Sequence, residues 1–136
     1  MSQLLVTLLT LLAGTSVWRT AAANTNKGFS YASTFSDGSV KQYQDYVNEM
    51  QAAQKLVGAP GTGFNSARLY TMVQADKNFT NEAVQAAIDT NTTLVLGLWA
   101  SPGDADFSLE VQMLSSAIAA HQTNLVAGIS VGSEDI

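Results

Sequence analysis

A parallel α/β fold is what this sequence predicts, and three observations carry it. Short apolar runs alternate with amphipathic stretches four times, at intervals of roughly thirty residues, which leaves room for a crossover helix between strands running the same way. The third run, Thr93 to Trp99 (TLVLGLW), is apolar on both faces, as befits a strand covered on both sides. The fourth, Leu125 to Ile136 (LVAGISVGSEDI), climbs from an apolar run to a small polar rim and delivers Glu134 at its C-terminal end. In parallel α/β proteins that is where chemistry collects.

Taken in order, Lys27 to Ala32 (KGFSYA) reads as a first strand, closed by the turn residues Ser36, Asp37, Gly38 and Ser39. Val40, Tyr43, Val47, Met50, Gln54 and Val57 recur at three- and four-residue spacing and mark an amphipathic helix ended by Gly58 and Pro60. The connection GAPGTGF leads to a second strand, Ser66 to Met72 (SARLYTM). A helix from about Asn81 to Asp89 follows, with Thr80 as its N-cap and Ala83, Val84, Ala87 and Ile88 inward. After the third strand, a loop from Ser101 to Asp106 precedes a helix with Leu109, Met113, Leu114, Ala117 and Ile118 on one side.

Composition bounds what this chain can do. With 46% apolar and 12% charged residues, 10 Gly and only 2 Pro, it has the makings of a packed core. The formal charge is −5, and Lys27, Lys41, Lys55, Arg68 and Lys77 are scattered. No basic stripe therefore invites nucleic acid or an anionic membrane surface. The absence of cysteine removes disulfides, thiolate metal sites and thiol nucleophiles together.

The N-terminal segment points to a compartment. Leu4 to Leu12 is an apolar core broken only by Thr7 and Thr10, too short to span a bilayer, and it leads to the small-residue run Ala21, Ala22 and Ala23. Residues 1–23 are expected to be a secretory signal peptide, leaving 24–136 as the mature domain with no transmembrane segment. Removing them takes Arg19 and leaves five basic residues against 11 acidic, a formal −6. Two acceptor triplets, Asn78-Phe79-Thr80 and Asn91-Thr92-Thr93, fit a secreted glycoprotein.

Two architectures share the strand–helix alternation. A doubly wound nucleotide-binding sheet needs a glycine-rich phosphate loop directly after its first strand, and that position reads Ser33-Thr34-Phe35-Ser36-Asp37-Gly38. A (β/α)8 TIM barrel asks instead for polar or aromatic groups at strand C-terminal ends, which Tyr31, Arg68 with Tyr70, Trp99 and Glu134 supply. Four steps make the N-terminal half of such a barrel, and a half leaves its first and fourth strands as apolar edges.

Four separated blocks, KGFSYASTFSDGSV, GFNSARLYT, AAIDTNTTLVLGLWAS and LVAGISVGSED, occur in an order and spacing that resemble fungal family-17 glycoside hydrolases, the secreted endo-1,3-β-glucanases of the cell wall. The resemblance runs from Lys27 to Ile136. It implies a (β/α)8 barrel, retaining hydrolysis of β-1,3-glucan, and a general acid/base Glu at the end of the fourth strand, a position that Glu134 matches. It also implies a nucleophilic Glu later in the chain, which has no counterpart here, so the 136 residues are expected to be a truncated, inactive portion. The residue before the acid is Asn in many relatives, where it contacts the sugar; here it is Ser133.

Retaining glycosidases pair a protonated acid with a second carboxylate about 5–5.5 Å away. The resemblance implies that Glu134 is the acid, weighed against a plain surface glutamate, and Asp135 beside it reads as a solvated loop carboxylate. Tyr31, Arg68, Tyr70, Trp99 and Ser133 are the candidate sugar contacts, each weighed against a plain role in the core or in a structural ion pair. His121 reads as a solvated helix-end residue. Asp104 and Asp106 have the spacing of metal ligands in a Gly/Ser/Pro loop, a weak signal, and neither metal nor cofactor is expected. Besides a glucan hydrolase, a non-catalytic β-glucan-binding or wall protein, or a glucan transferase, shares these features. An intracellular nucleotide-binding domain is disfavoured by the missing phosphate loop.

Overall fold

A computed structural model describes residues 26–59, 61, 63–75, 80–121 and 123–132. The expected signal peptide, Asn78, Ser133, Glu134 and Asp135 lie outside the described residues. The elements alternate as expected: β1 (Gly28–Tyr31), α1 (Tyr43–Gln54), β2 (Ser66–Leu69), α2 (Ala83–Asp89), β3 (Thr93–Leu98), α3 (Asp104–Ala120), a 3-10 turn (Thr123–Leu125) and β4 (Val126–Val131). All neighbouring strands pair parallel, in the order β1-β2-β3-β4. That order has no reversal of the kind at which doubly wound sheets bind nucleotides. The fold is α/β, a four-stranded parallel sheet alternating with helices, consistent with the N-terminal part of a (β/α)8 barrel.

One face of the sheet carries the core. Tyr31, Leu69, Leu94, Leu96 and Leu98 pack with Tyr46, Met50, Val84, Ala87, Met113 and Ala117 from the three helices, all buried. Ser30, Arg68 and Val95 are register partners and so share the opposite face. Between β3 and β4 the register shifts after Leu94, so that Leu96 pairs with Ile129 and Leu98 with Val131. The β3 partners are buried, whereas Ile129 and Val131 are 49% and 60% exposed. Among the described residues β1 and β4 are the edge strands of this sheet.

Several boundaries differ from the sequence reading, each for a local reason. The α1 helix omits both ends of its apolar series. Val40 instead bridges Thr34, the Gln42 backbone N–H donates to Asp45 Oδ2 at 2.9 Å to start the helix, and Val57 is fully exposed beyond it. Strand β2 stops at Leu69 because the Met72 amide is taken by a side chain, Glu110, rather than by a neighbouring strand. At α2 the Ala83 N–H is accepted by Asn81 Oδ1 at 3.0 Å, so Asn81 and not Thr80 satisfies the first helical amides. Helix α3 begins inside the expected loop, after Gly103 at φ 125°, with Asp104 and Asp106 in its first turn. Carboxylates there complement the unpaired N–H groups of a helix start, and that accounts for their spacing.

Two glycines have steric roles. Gly63, at φ +77°, lets the GAPGTGF connection lie against the Gln54 backbone at the end of α1. Gly97 lets β3 pass close to the carbonyls of Leu69 and Tyr70, where β2 ends, and any side chain would collide with them.

Candidate functional site

The C-terminal ends of β1, β2 and β3 open into one cavity of about 430 Å³, lined by Ser33, Thr71, Gln74, Trp99, Asp106 and Glu110 among others. Ser33 follows β1, Thr71 and Gln74 follow β2, Trp99 follows β3, and Asp106 and Glu110 come from α3. Every lining residue thus lies beyond a strand's C-terminal end or on the helix that follows it.

Trp99 lines the cavity and is 44% exposed. An aromatic face beside hydroxyl and carboxylate groups suits a ring with one apolar face and polar substituents. Gln74 is fully buried and ties two loops together. Its Nε2 donates to the Lys41 carbonyl at 2.6 Å, and its Oε1 accepts from the Glu82 N–H at 3.2 Å. Lys41 in turn is buried against the rings of Phe35 and Tyr46 and pairs with Glu49 at 2.7 Å.

At the back of the cavity sits Glu110, only 3% exposed. Its carboxylate accepts from the Thr71 hydroxyl and from the Met72 N–H at 2.6 Å. No lysine or arginine pairs with it among the described residues. Burial pushes its carboxyl up from the usual range, opposed by the hydrogen bonds from Thr71 and Met72. The sequence carried a signal for Glu110 that pattern reading passed over: it sits in register with the inward-facing Met113 and Ala117 of α3, an acid on an apolar stripe.

Of the residues singled out from sequence, Trp99 lines the cavity. Arg68 places its guanidinium 5.0 Å from the centre of the Tyr70 ring, and no carboxylate pairs with it among the described residues. Tyr31 is 7% exposed and turned toward α1, its hydroxyl raised by burial and by nearby Glu49. His121 follows α3, its N–H donating to the Ala117 carbonyl. Ser133 and Glu134 lie outside the described residues. Among the described residues no cluster of three or more His, Asp or Glu side chains could hold a metal ion, and none is long and apolar enough as a helix to cross a membrane.

No family model matches the chain. Most of it is nevertheless similar to fungal proteins named probable glucan endo-1,3-beta-glucosidase. It is 51% identical over 114 residues to one from Aspergillus oryzae, covering 81% of this chain and 24% of that protein. It is 49% identical over 114 residues to one from Aspergillus terreus, covering 81% and 23%. With one from Emericella nidulans it shares 44% over 119 residues, covering 85% and 25%. The chain thus spans about a quarter of the length of the curated relatives it matches. The similarity relates it to a glycoside-hydrolase-like family.

Proposed function

We propose that these residues supply the first four strands with three crossover helices and the general acid/base of a secreted cell-wall glycosidase that hydrolyses internal β-1,3-glucosidic bonds of glucan with retention of configuration. The observation that carries the reading is a chain about half identical to proteins named glucan endo-1,3-beta-glucosidase over four fifths of its length. The cavity at the strand C-terminal ends, with Trp99 in its lining, supports it.

In this reading Glu134, three residues beyond Val131, protonates the leaving oxygen and then, as a carboxylate, takes the proton of the incoming water. Trp99 offers a stacking face to the sugar, Ser133 bonds to it beside the acid, and Arg68 with Tyr70 forms part of the floor. Tyr31 supports that floor from the helix side. The nucleophile is assigned to none of the 136 residues, so the isolated chain is expected to hydrolyse nothing. Residues 1–23 direct the protein out of the cell.

The test is the stereochemistry of the first product. In a chimera joining these residues to the remainder of one of the longer relatives, proton NMR of laminarin digestion should show the β-anomer of the new reducing end before mutarotation. Initial release of the α-anomer would overturn retention, and no attack on laminarin would overturn the glucanase reading.

A further inference from the structure

Three of the polar side chains lining the cavity at the strand C-terminal ends are already committed within the protein. Glu110 accepts from the Thr71 hydroxyl and the Met72 N–H, the Thr71 hydroxyl accepts the Val73 N–H at 3.0 Å, and the Gln74 amide is bonded to backbone at both ends, at 2.6 and 3.2 Å. These groups build the wall and keep little capacity for a ligand. Asp106 differs. It lines the same cavity as Trp99, is exposed, and its side chain makes no hydrogen bond or ion pair with any described residue. Asp104 shares the first turn of α3 with it but does not line the cavity.

Charge narrows what Asp106 can meet. No lysine, arginine or histidine among the described residues lines the cavity: Lys41 is paired with Glu49 in a separate groove, and Arg68 lies over the Tyr70 ring. An anionic ligand would therefore face the carboxyl groups of Asp106 and Glu110 with no cation to offset them. A wholly apolar ligand would strip water from the Asp106 carboxylate and return no donor, which is costly. A neutral ring rich in hydroxyls meets both conditions. Its O–H groups donate to the carboxylate in charge-assisted bonds, and its apolar face suits an indole. The cavity, at about 430 Å³, has the size of small-molecule sites.

We propose that Asp106 is a sugar-binding and specificity-determining residue: its carboxylate accepts hydroxyl protons of a neutral pyranose held in the cavity with Trp99, and it makes the cavity select neutral over acidic sugars. The identity of that sugar as β-1,3-glucan rests on the function proposed above; the neutral-sugar site does not.

Titration calorimetry of the full 136-residue chain with laminarihexaose, with cellohexaose and with laminarihexaose oxidised to carboxylates at C6 tests this. Laminarihexaose should bind, and its oxidised form about tenfold more weakly or worse. Asp106→Asn keeps the shape and removes the charge, so it should weaken laminarihexaose about five-fold or more and narrow the neutral-to-acidic ratio about threefold or more. Asp104→Asn is the comparison for plain loss at the helix start. It removes a like charge from the same turn, away from the cavity wall, and should lower Tm as Asp106→Asn does while leaving both affinities within about twofold. Unchanged laminarihexaose affinity in Asp106→Asn would overturn the proposal and leave the glucan reading intact, as would Asp104→Asn matching Asp106→Asn in both affinities. If the chain takes cellohexaose in an Asp106-dependent way and takes no laminarihexaose, the glucan reading fails and the neutral-sugar site stands. Binding of none of the three, or tighter binding of the oxidised form, overturns the site, and hydrolysis of laminarin by the chimera then decides the glucan reading separately.

Discussion

Glu110 and Tyr46 set opposite ends of the pH behaviour expected at the scale of single residues. Burial holds the folded-state Glu110 carboxyl above its ordinary value, so the folded chain binds that proton more tightly than the unfolded one does. The stability linked to it is complete below the unfolded value of about 4.3 and is lost as pH rises through the raised folded value. Tm should therefore decline across the acidic range, and Glu110→Gln should flatten that decline; equal slopes in the two proteins would contradict the assignment. Tyr46 is fully buried and its hydroxyl is raised above 10.0, first by burial and then by Glu49, so its contribution disappears only as pH rises through alkaline values. Asn91 is a residue of another kind. It is exposed in the turn between α2 and β3, at φ +52°, and its triplet ends at Thr93, the first residue of β3. In a secreting fungal host it is expected to carry an N-linked glycan at the end of the sheet away from Trp99. The intact mass of Asn91→Gln should fall by one glycan relative to the parent, and an unmodified Asn91 peptide from the parent would contradict this.

Elements meet through polar ties as much as through the apolar core, and this is where sequence reading reached its limit. The alternation of periods located each of the four strands and three long helices, because burying one face of each leaves a repeating apolar pattern in the chain. What that pattern does not encode is where a backbone amide finds its partner when the partner is distant. Met72 reads as strand, yet its N–H goes to Glu110 38 residues away; Thr80 reads as an N-cap, yet Asn81 takes the amide. The cavity was legible only through Trp99 and Asp106, since its other lining residues are ordinary in sequence and are gathered by the crossovers. Gln74 is the clearest such tie, joining the loop after β1 to the start of α2. Gln74→Leu keeps the volume but strands the Glu82 N–H and leaves the Lys41 carbonyl only the longer bond from Gln42 Nε2, and should cost about 1–3 kcal/mol. Urea unfolding measures it, and a change below about 0.5 kcal/mol, the level of a surface substitution, would show that the tie does not hold the loops.

For the whole molecule, a parallel sheet in the order β1-β2-β3-β4 with helices on one face directs every strand's C-terminal end to the same side, and the cavity forms there by geometry alone. Among the described residues, Phe29 on β1 and Ile129 and Val131 on β4 stay exposed at the two edges of the sheet. The proposed export of the protein is checked by the N-terminus of material recovered from medium or cell wall: cleavage near Ala23 is expected, and an intact Met1 would contradict it. The central claim, that the carboxylate of Glu134, after β4, performs acid/base chemistry on glucan, is tested most directly by Glu134→Gln in a chimera joining these residues to the remainder of one of the longer relatives. Laminarin hydrolysis should fall by roughly two or more orders of magnitude, binding should survive, and azide should restore turnover on a substrate with a very good leaving group; near-normal laminarin hydrolysis by Glu134→Gln, with loss of activity in Asp135→Ala, would contradict the account and move the acid one residue along the chain.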